Sequence, residues 1–125
     1  MLRFYRGMTW GEAMEVVQNQ GLSAERIAAN QALNPGAAGS GAYITSQEGT
    51  AAYFADLAAH GGRGLGPAVV SMDVSAVEFN AFAARNGIAV ETPIPRGPFP
   101  GATETLIPLE NIAEFNSICT FCVHW

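Results

Sequence analysis

Apolar and polar residues follow two different periods along this chain, and these periods predict strands and helices in turn. Alternation with a period of two over Leu2–Arg6 predicts a short strand that ends at Gly7. The run Ala68–Val74, rich in β-branched residues, predicts the clearest strand. Further strands are predicted over residues 42–45, 88–91, 103–108, 112–116 and 118–123.

Helical periodicity fills the intervals between several of these strands. It predicts helices over about residues 10–20, 24–33, 48–60 and 76–86. Thr9 and Glu12 have the spacing of a capping box at the start of the first helix, and Ser75 and Glu78 repeat it at the start of the last. Gly21 is expected to end the first helix. The predicted fold class is therefore α+β, with helices mainly in the N-terminal half packed on a mostly antiparallel sheet.

Segments rich in glycine and proline separate these elements. Gly36–Gly41 and Gly61–Pro67 are predicted loops, and Thr92–Gly101 holds four prolines in ten residues, which excludes a helix or an inner strand. Because the chain has neither internal repeats nor a linker, residues 1–125 are expected to form one domain.

Composition narrows the class of protein. The chain has 125 residues, of which 49% are hydrophobic and 14% charged, as is typical of a globular domain with a core. Six arginines, no lysine and eleven acidic residues give a net charge of −5, which argues against tight nucleic-acid binding. No apolar run approaches the ~20 residues of a membrane span, and the N-terminus lacks the pattern of a signal peptide. We therefore expect a soluble domain.

Residues near two predicted strand ends offer candidate chemistry, each with a structural alternative. The Arg6 guanidinium, beside Gly7, either meets an anion or forms a structural salt bridge. Thr45 and Ser46 lie where a strand runs into a helix, and hydroxyls there either cap the helix or bind a ligand. The aromatic pair Tyr53–Phe54 in that helix belongs either to the core or to a binding site.

An acidic residue begins an otherwise apolar strand. Glu104 follows a loop rich in proline and glycine and precedes Leu106 and Ile107, so its carboxylate is expected to be hydrogen-bonded or to face a cleft. The chain has only two histidines, His60 and His124, which leaves little for histidine acid–base catalysis. An enzyme built on this chain would rely on arginine, hydroxyl groups and a carboxylate.

The cysteines predict neither a metal site nor a disulfide scaffold. Cys119, Cys122 and His124 are close in sequence, but a zinc site normally has four ligands. Two buried free thiols are the favoured interpretation, and two cysteines in this length exclude a disulfide-stapled fold.

Four segments, taken in chain order, resemble a known family. They are the aromatic-Arg-Gly segment, the Gly-x-Tyr-x-Thr-Ser strand, the Tyr-Phe-Ala helix that follows, and Thr-Glu-Thr-Leu-Ile-Pro after the proline-rich loop. Together they resemble the ADP-ribosyltransferase superfamily, and within it the small C-terminal toxin domains of bacterial polymorphic secretion systems. The resemblance spans Phe4 to about Asn116 and implies a split, mostly antiparallel β-sheet.

This resemblance implies roles for five residues in NAD chemistry. Glu104 would be the catalytic carboxylate on the ribose 2′-hydroxyl, and Arg6 would hold NAD through its phosphates and ribose. Gly7 would approach the nicotinamide amide. Thr45 and Ser46 would orient the nicotinamide ribose and Glu104, so that Glu104, Arg6 and Ser46 are the implied catalytic residues.

Aromatic residues and one loop complete the implied site. Tyr43 and Tyr53 are similar to the two tyrosines of the poly-ADP-ribose polymerase and diphtheria-toxin branch, one of which stacks on nicotinamide, and Phe54 joins them. Pro93–Gly101 lies where the family places its target-recognition loop. Arginine-modifying members carry Glu or Gln two residues before the catalytic Glu, whereas this chain has Ala102, which argues against arginine as the acceptor.

The implied function is that of a mono-ADP-ribosyltransferase toxin, which transfers ADP-ribose from NAD to a protein or RNA in a target cell and releases nicotinamide. NAD is its substrate, and no metal is implied. Delivery within a larger secreted effector and a cognate immunity protein follow from the same resemblance. Two alternatives stay open: an NAD glycohydrolase on the same fold, and a non-enzymatic interaction module in which Arg6 and Glu104 pair within the core.

Overall fold

The computed structural model describes residues 1–33, 41–60, 66–94 and 100–125. Its strands are β1 (Leu2–Thr9), β2 (Gly41–Ile44), β3 (Pro67–Val74), β4 (Thr92–Pro93), β5 (Thr103–Pro108) and β6 (Cys119–Val123). Its helices are α1 (Trp10–Asn19), α2 (Ala24–Leu33), α3 (Glu48–His60), α4 (Ala76–Asn86) and α5 (Ile112–Ile118), the last preceded by a 3₁₀ turn over Leu109–Asn111.

The strands form two small antiparallel sheets. In the first sheet β3 lies between β1 and β6, and in the second β5 lies between β2 and β4. An isolated bridge between Tyr5 and Thr45 joins β1 to the end of β2, with N···O distances of 2.7 and 3.0 Å. The predicted α+β class with mostly antiparallel pairing is therefore confirmed.

Aromatic side chains form the centre of the main core. Phe79 of α4 is fully buried, and its ring centroid lies 4.6 Å from that of Phe4, 6.2 Å from Phe82 and 6.5 Å from Phe115. Phe115 in turn contacts Phe121 of β6 at 6.4 Å. Burial of this much apolar surface holds α4 and α5 against the first sheet.

The third helix packs close to β1 and β3 through small residues. Ala51 and Ala55 of α3 form a second buried cluster with Val69, and Tyr5 packs against it. Alternation along β1 places Tyr5 on the face opposite Phe4, so the two clusters cover opposite faces of the first sheet.

Both predicted capping hydroxyls are confirmed. The Thr9 hydroxyl accepts a hydrogen bond from the amide of Glu12, and the Ser75 hydroxyl accepts one from the amide of Glu78, both at 3.4 Å. These bonds satisfy amide groups that would otherwise lack partners in the first turns of α1 and α4.

The predicted end of α1 at Gly21 is wrong by one residue. Gln20 adopts the left-handed conformation instead, with φ of 49°. Its side-chain Nε2 donates to the backbone C=O of Phe121 at 2.8 Å, and its Oε1 accepts from the backbone N–H of Phe121 at 3.0 Å. These contacts to β6 compensate for the backbone strain that a glycine would avoid.

Three strand predictions are wrong. Residues 112–116 lie in α5, where Ile112 and Phe115 are three apart and both buried. Residues 88–91 form no strand, and β4 begins only at Thr92. β1 continues through Gly7 to Thr9, because β3 pairs with it along its whole length. In addition, α4 and α5 place helices in the C-terminal half as well as the N-terminal half.

Three predicted loops fall largely outside the described residues: Gly36–Gly41, Gly61–Pro67 and the proposed target-recognition segment Pro93–Gly101. Among the helices that the structure describes, none is long and apolar enough to cross a membrane.

Candidate functional site

The two sheets separate immediately after the bridge between Tyr5 and Thr45. If the antiparallel ladder continued, Gly7 would pair with Tyr43, two residues along each strand. Instead the Arg6 guanidinium spans the gap, and its Nη1 donates to the backbone C=O of Tyr43 at 3.0 Å. Arg6 therefore lies at the junction of the sheets and bonds to the main chain.

The environment of Arg6 is unusual for a cation. Burial lowers the pKa of its guanidinium, while the negative charge of Glu12 acts in the opposite direction. Its Nε is buried and lacks a hydrogen-bond partner. Among the described residues, no carboxylate lies within ion-pair distance of Arg6. The structure therefore contradicts the alternative that Arg6 forms a structural salt bridge with a described residue.

Gly7 is required by packing. A Cβ at this position would overlap the backbone C=O of Ala51 and the backbone nitrogen of Ala55. Because both obstacles are backbone atoms of α3, a side chain at Gly7 would separate the helix from β1. The close approach of α3 explains this glycine without a ligand, so its implied role toward nicotinamide stays a prediction.

Glu104 and Tyr43 lie on one side of the second sheet. Tyr43 is opposite Leu106, and Glu104 is two residues from Leu106 on β5, so the two are diagonal neighbours. Burial raises the pKa of Glu104. Burial also raises the pKa of Tyr43, and the negative charge of Glu104 raises it further. No hydrogen bond or ion pair joins the Glu104 carboxylate to another described residue. It is a half-buried acid without a partner in the part of the chain that the structure describes.

A glutamine that sequence reasoning missed fixes the start of β5. Gln47 Nε2 donates to the backbone C=O of Gly101 at 2.9 Å. Its Oε1 accepts from the backbone N–H of Thr103 at 2.9 Å and from the hydroxyl of Thr50 at 2.8 Å. Gln47 therefore determines where the backbone lies directly before Glu104.

The two hydroxyl residues of the implied motif differ in environment. Thr45 is buried, and its Oγ1 accepts from the amide of Gln47 at 3.1 Å, which turns the chain into α3. Ser46 is exposed. Because Gln47 precedes α3, this bond forms a turn and not a helix cap, so the capping alternative is not confirmed for Thr45.

Sequence reasoning also missed the carboxylate of Glu91, which is hydrogen-bonded to β5. Glu91 has a left-handed backbone, with φ of 55°, which is rare outside glycine. Its amide donates to Thr105 Oγ1 at 2.9 Å, and its carboxylate accepts from the Thr103 hydroxyl. The other carboxylate oxygen, Oε1, is buried without a hydrogen-bond partner. Nothing in the local sequence pattern indicates these contacts.

Tyr53 and Phe54 contact each other edge to face, with ring centroids 5.4 Å apart. Tyr53 is 44% exposed on α3, so it is not the core residue of the structural alternative. No hydrogen bond or ion pair in the described part of the chain connects either residue to Arg6 or Glu104. Of the implied site residues, the structure links Arg6, Tyr43 and Glu104. Arg6 donates to the backbone of Tyr43, and the charge of Glu104 acts on the Tyr43 hydroxyl.

This arrangement does not contain the Arg6–Glu104 pair on which the interaction-module alternative depends. Arg6 donates to the backbone oxygen of Tyr43, and the negative charge that acts on it is that of Glu12.

The C-terminal cysteines are not equivalent. Burial raises the pKa of the Cys119 thiol to about 12, whereas Cys122 is exposed, so the prediction of two buried thiols is wrong for Cys122. His124 Nε2 lies 3.1 Å from Glu48 Oε1, so the partner of this histidine is a carboxylate of α3. Within residues 1–33, 41–60, 66–94 and 100–125, no three His, Cys, Asp or Glu side chains converge to hold a metal.

Comparisons of this chain with protein-family models, with curated proteins and with solved structures gave no match. The chemistry of the candidate site therefore rests on its own geometry.

Proposed function

We propose that this chain is a mono-ADP-ribosyltransferase domain, which transfers ADP-ribose from NAD to a protein or RNA and releases nicotinamide. The observation that carries the proposal is the half-buried Glu104 carboxylate, which has no partner among the described residues and lies beside Tyr43. Its strand is fixed at its start by Gln47.

The chemistry requires a carboxylate of this kind. When the bond between ribose C1′ and nicotinamide breaks, nicotinamide leaves with the electron pair and positive charge develops on the ribose. A carboxylate on the 2′-hydroxyl stabilises that charge, and partial burial strengthens the effect. The acceptor nucleophile then bonds to C1′ and loses its proton to solvent. Because no cation of residues 1–33, 41–60, 66–94 and 100–125 pairs with Glu104, its charge is available to the ribose within this part of the chain.

The buried guanidinium supports the placement of NAD. Arg6 spends one N–H on Tyr43 and leaves Nε unpaired, and a diphosphate is the class of ligand that satisfies such donors best. The Tyr43 ring would lie against nicotinamide, and the exposed Ser46 hydroxyl would contact the ribose. The resemblance adds the rest of the context: a toxin delivered within a larger effector, and a cognate immunity protein.

The test is release of nicotinamide from NAD by the purified domain, with and without a cell lysate that supplies acceptors. We expect Glu104→Gln to lower turnover by at least about 10²–10³-fold while the protein stays folded. Glu110→Gln, an exposed acid just beyond the same strand, is the matched control and should release nicotinamide normally. Near-normal turnover in Glu104→Gln would exclude Glu104 as the catalytic carboxylate.

The second candidate, an NAD glycohydrolase, is favoured by Ala102. This residue is buried and apolar two positions before Glu104, where arginine-modifying enzymes carry a polar side chain. Release that is independent of lysate and labels no macromolecule would favour water as the acceptor. If the folded wild-type protein releases no nicotinamide even with lysate, the interaction module becomes the better description.

A further inference from the structure

A cleft of about 110 Å³ lies between α1 and the start of α2, and neither Tyr43 nor Glu104 lines it. Its apolar wall consists of Val16, Leu22 and Ile27, all buried. Its polar wall carries three charged side chains, Glu12, Glu15 and Arg26, together with Asn19 and Ser23. The cleft therefore combines an apolar wall with a charged one, as small-molecule sites do.

Two of the three charges neutralise each other. Arg26 Nη2 lies 2.6 Å from Glu15 Oε2, and both side chains are largely exposed. The Ser23 hydroxyl is also occupied, because it accepts from the amide of Arg26 at 3.1 Å. The net charge left on the wall of the cleft is the negative charge of Glu12.

Glu12 is only 8% exposed, yet its carboxylate has no hydrogen bond or ion pair to any described residue. Its amide is used by the Thr9 cap, but the carboxylate does not complete the reciprocal bond of a capping box. The oxygens of this carboxylate are not among the buried described atoms that lack a hydrogen-bond partner, so they remain accessible to solvent and to a ligand. The geometry thus leaves one acceptor group on the wall of the cleft.

The Arg6 guanidinium does not bind this carboxylate. The charge of Glu12 acts on Arg6, but the two side chains form no ion pair, and the Arg6 guanidinium donates to the backbone of Tyr43. The Glu12 carboxylate therefore keeps its hydrogen-bond acceptor capacity for a ligand in the cleft.

We propose that this cleft binds the end group of an organic cation, a guanidinium or primary ammonium, with Glu12 as its counter-charge. An apolar cavity of about 150 Å³ holds one benzene molecule, so the volume of about 110 Å³ suits such a group with one or two methylenes. The methylenes pack on Val16, Leu22 and Ile27 while the N–H groups donate to Glu12. This site is separate from the NAD chemistry proposed above and does not depend on it.

The first test is calorimetric titration of the folded domain with methylguanidinium and with ethylammonium, at constant ionic strength. Both cations should bind saturably, whereas methylurea, which is neutral and similar in shape, should not. Glu12→Gln should weaken cation binding at least about tenfold. Glu25→Gln, an exposed acid on α2 outside the cleft, is the matched control and should leave binding unchanged.

A second variant protects the test against a folding defect in Glu12→Gln. Asn19 is exposed at the rim of the cleft, so Asn19→Trp should fill it and abolish binding while Glu12 is retained. Saturable binding that survives both variants would overturn the proposal, as would absence of binding to every cation in the wild-type protein. Strong destabilisation by Glu12→Gln without any cation binding would also overturn it, because Glu12 would then serve Arg6 internally.

The cation has two sources, a free amine or a protein side chain, and a peptide distinguishes them. Acetyl-Gly-Arg-Gly-amide is titrated beside the same peptide with citrulline in place of arginine. Binding of both the arginine peptide and the free cations means that the cleft recognises the group whatever its source. Binding of the arginine peptide alone supports the proposal with a protein side chain as the ligand, and binding of the citrulline peptide with equal affinity contradicts it.

Discussion

The two sheets of this protein differ in the side chains that they carry and bury. In the first sheet, β3 contributes Val69, Val70, Met72 and Val74, all buried, and aromatic rings cover one of its faces. The second sheet also buries apolar residues, such as Ile44 and Ile107, but it adds the almost inaccessible hydroxyl of Thr105 and an acid, Glu104, that has no partner among the described residues. Apolar burial is non-directional and gives stability, whereas the polar groups of the second sheet require specific partners. We therefore expect the first sheet to contribute mainly stability and the second to hold the groups that the proposed function uses.

A left-handed backbone occurs beside each sheet, at Gln20 next to β6 of the first and at Glu91 next to β5 of the second. Of these two residues, only Glu91 also has a buried side-chain oxygen without a described hydrogen-bond partner. Glu91, in the left-handed region, lies against β5 of the second sheet through Thr103 and Thr105. Strained residues with unsatisfied buried atoms persist where the surroundings hold them, and they cluster at functional sites. The following variants test this contrast, by their effects on the free energy of unfolding and, for the second sheet, on turnover of the proposed substrate.

The largest effect on stability is expected in the first sheet, from Phe79→Ala. This variant removes a fully buried ring that contacts Phe4, Phe82 and Phe115. The lost burial and the resulting cavity should lower the free energy of unfolding by about 3–5 kcal/mol, measured by urea unfolding followed by circular dichroism. Tyr53→Ala, which truncates an exposed ring of α3, should change it by less than about 0.5 kcal/mol. Similar losses in both variants would refute the assignment of the main core.

Gly7→Ala should have the next largest effect, because it acts where α3 meets β1. The new methyl group would overlap backbone atoms of Ala51 and Ala55, which cannot move aside as a side chain can. We expect a loss of about 3 kcal/mol, at the upper end for overpacking. Gly11→Ala is a control of opposite sign, since a Cβ there meets open space within α1 and should stabilise by about 0.5–1 kcal/mol. Equal behaviour of the two alanines would contradict the close approach of α3.

Gln47→Leu should destabilise less but should affect activity more. It leaves the Thr103 amide without its acceptor, at a cost of about 1–2 kcal/mol, and frees the backbone before Glu104. If NAD is the substrate, kcat should fall with little change in KM, because Gln47 positions the acid and does not bind NAD. Gln18→Leu on the exposed face of α1 is the control for surface polarity. A fall in activity no larger than the folded fraction explains would reduce Gln47 to a structural residue.

Local patterns predicted the elements whose signals lie within a few residues. The bounds of β5, and the starts of α1 and α4, follow from alternation and from hydroxyl caps. α5 was mistaken for a strand because its seven residues are too few to establish a helical period and Asn111 provides no side-chain cap. Short segments of this kind take their conformation from tertiary packing, here the burial of Ile112 and Phe115.

The candidate site divides in the same way. The sequence pattern predicts that Glu104 is an unusual acid, because it interrupts an apolar strand. Gln47 could not be predicted, since its partners Gly101 and Thr103 lie 54 and 56 residues away. Glu91 bonds to Thr103 across 12 residues from a left-handed backbone that no local motif requires. Contacts of this kind depend on how the sheets assemble, which periodicity does not encode.

The smallest expected effect is also the most direct measure of the second sheet, and it comes from Glu104→Gln. Because burial raises the pKa of Glu104, the folded state keeps its proton to a higher pH than the unfolded state does. The protonated acid therefore adds stability that is complete below the ordinary pKa of about 4.3 and is lost as the pH rises through the raised value. Urea unfolding from pH 4 to pH 8 should show the free energy of unfolding of Glu104→Gln rising relative to that of the wild type as the pH rises. The opposite slope would mean that a partner stabilises the carboxylate in the folded protein. That result would leave no unpaired acid for a ribose, whatever the turnover of the variant.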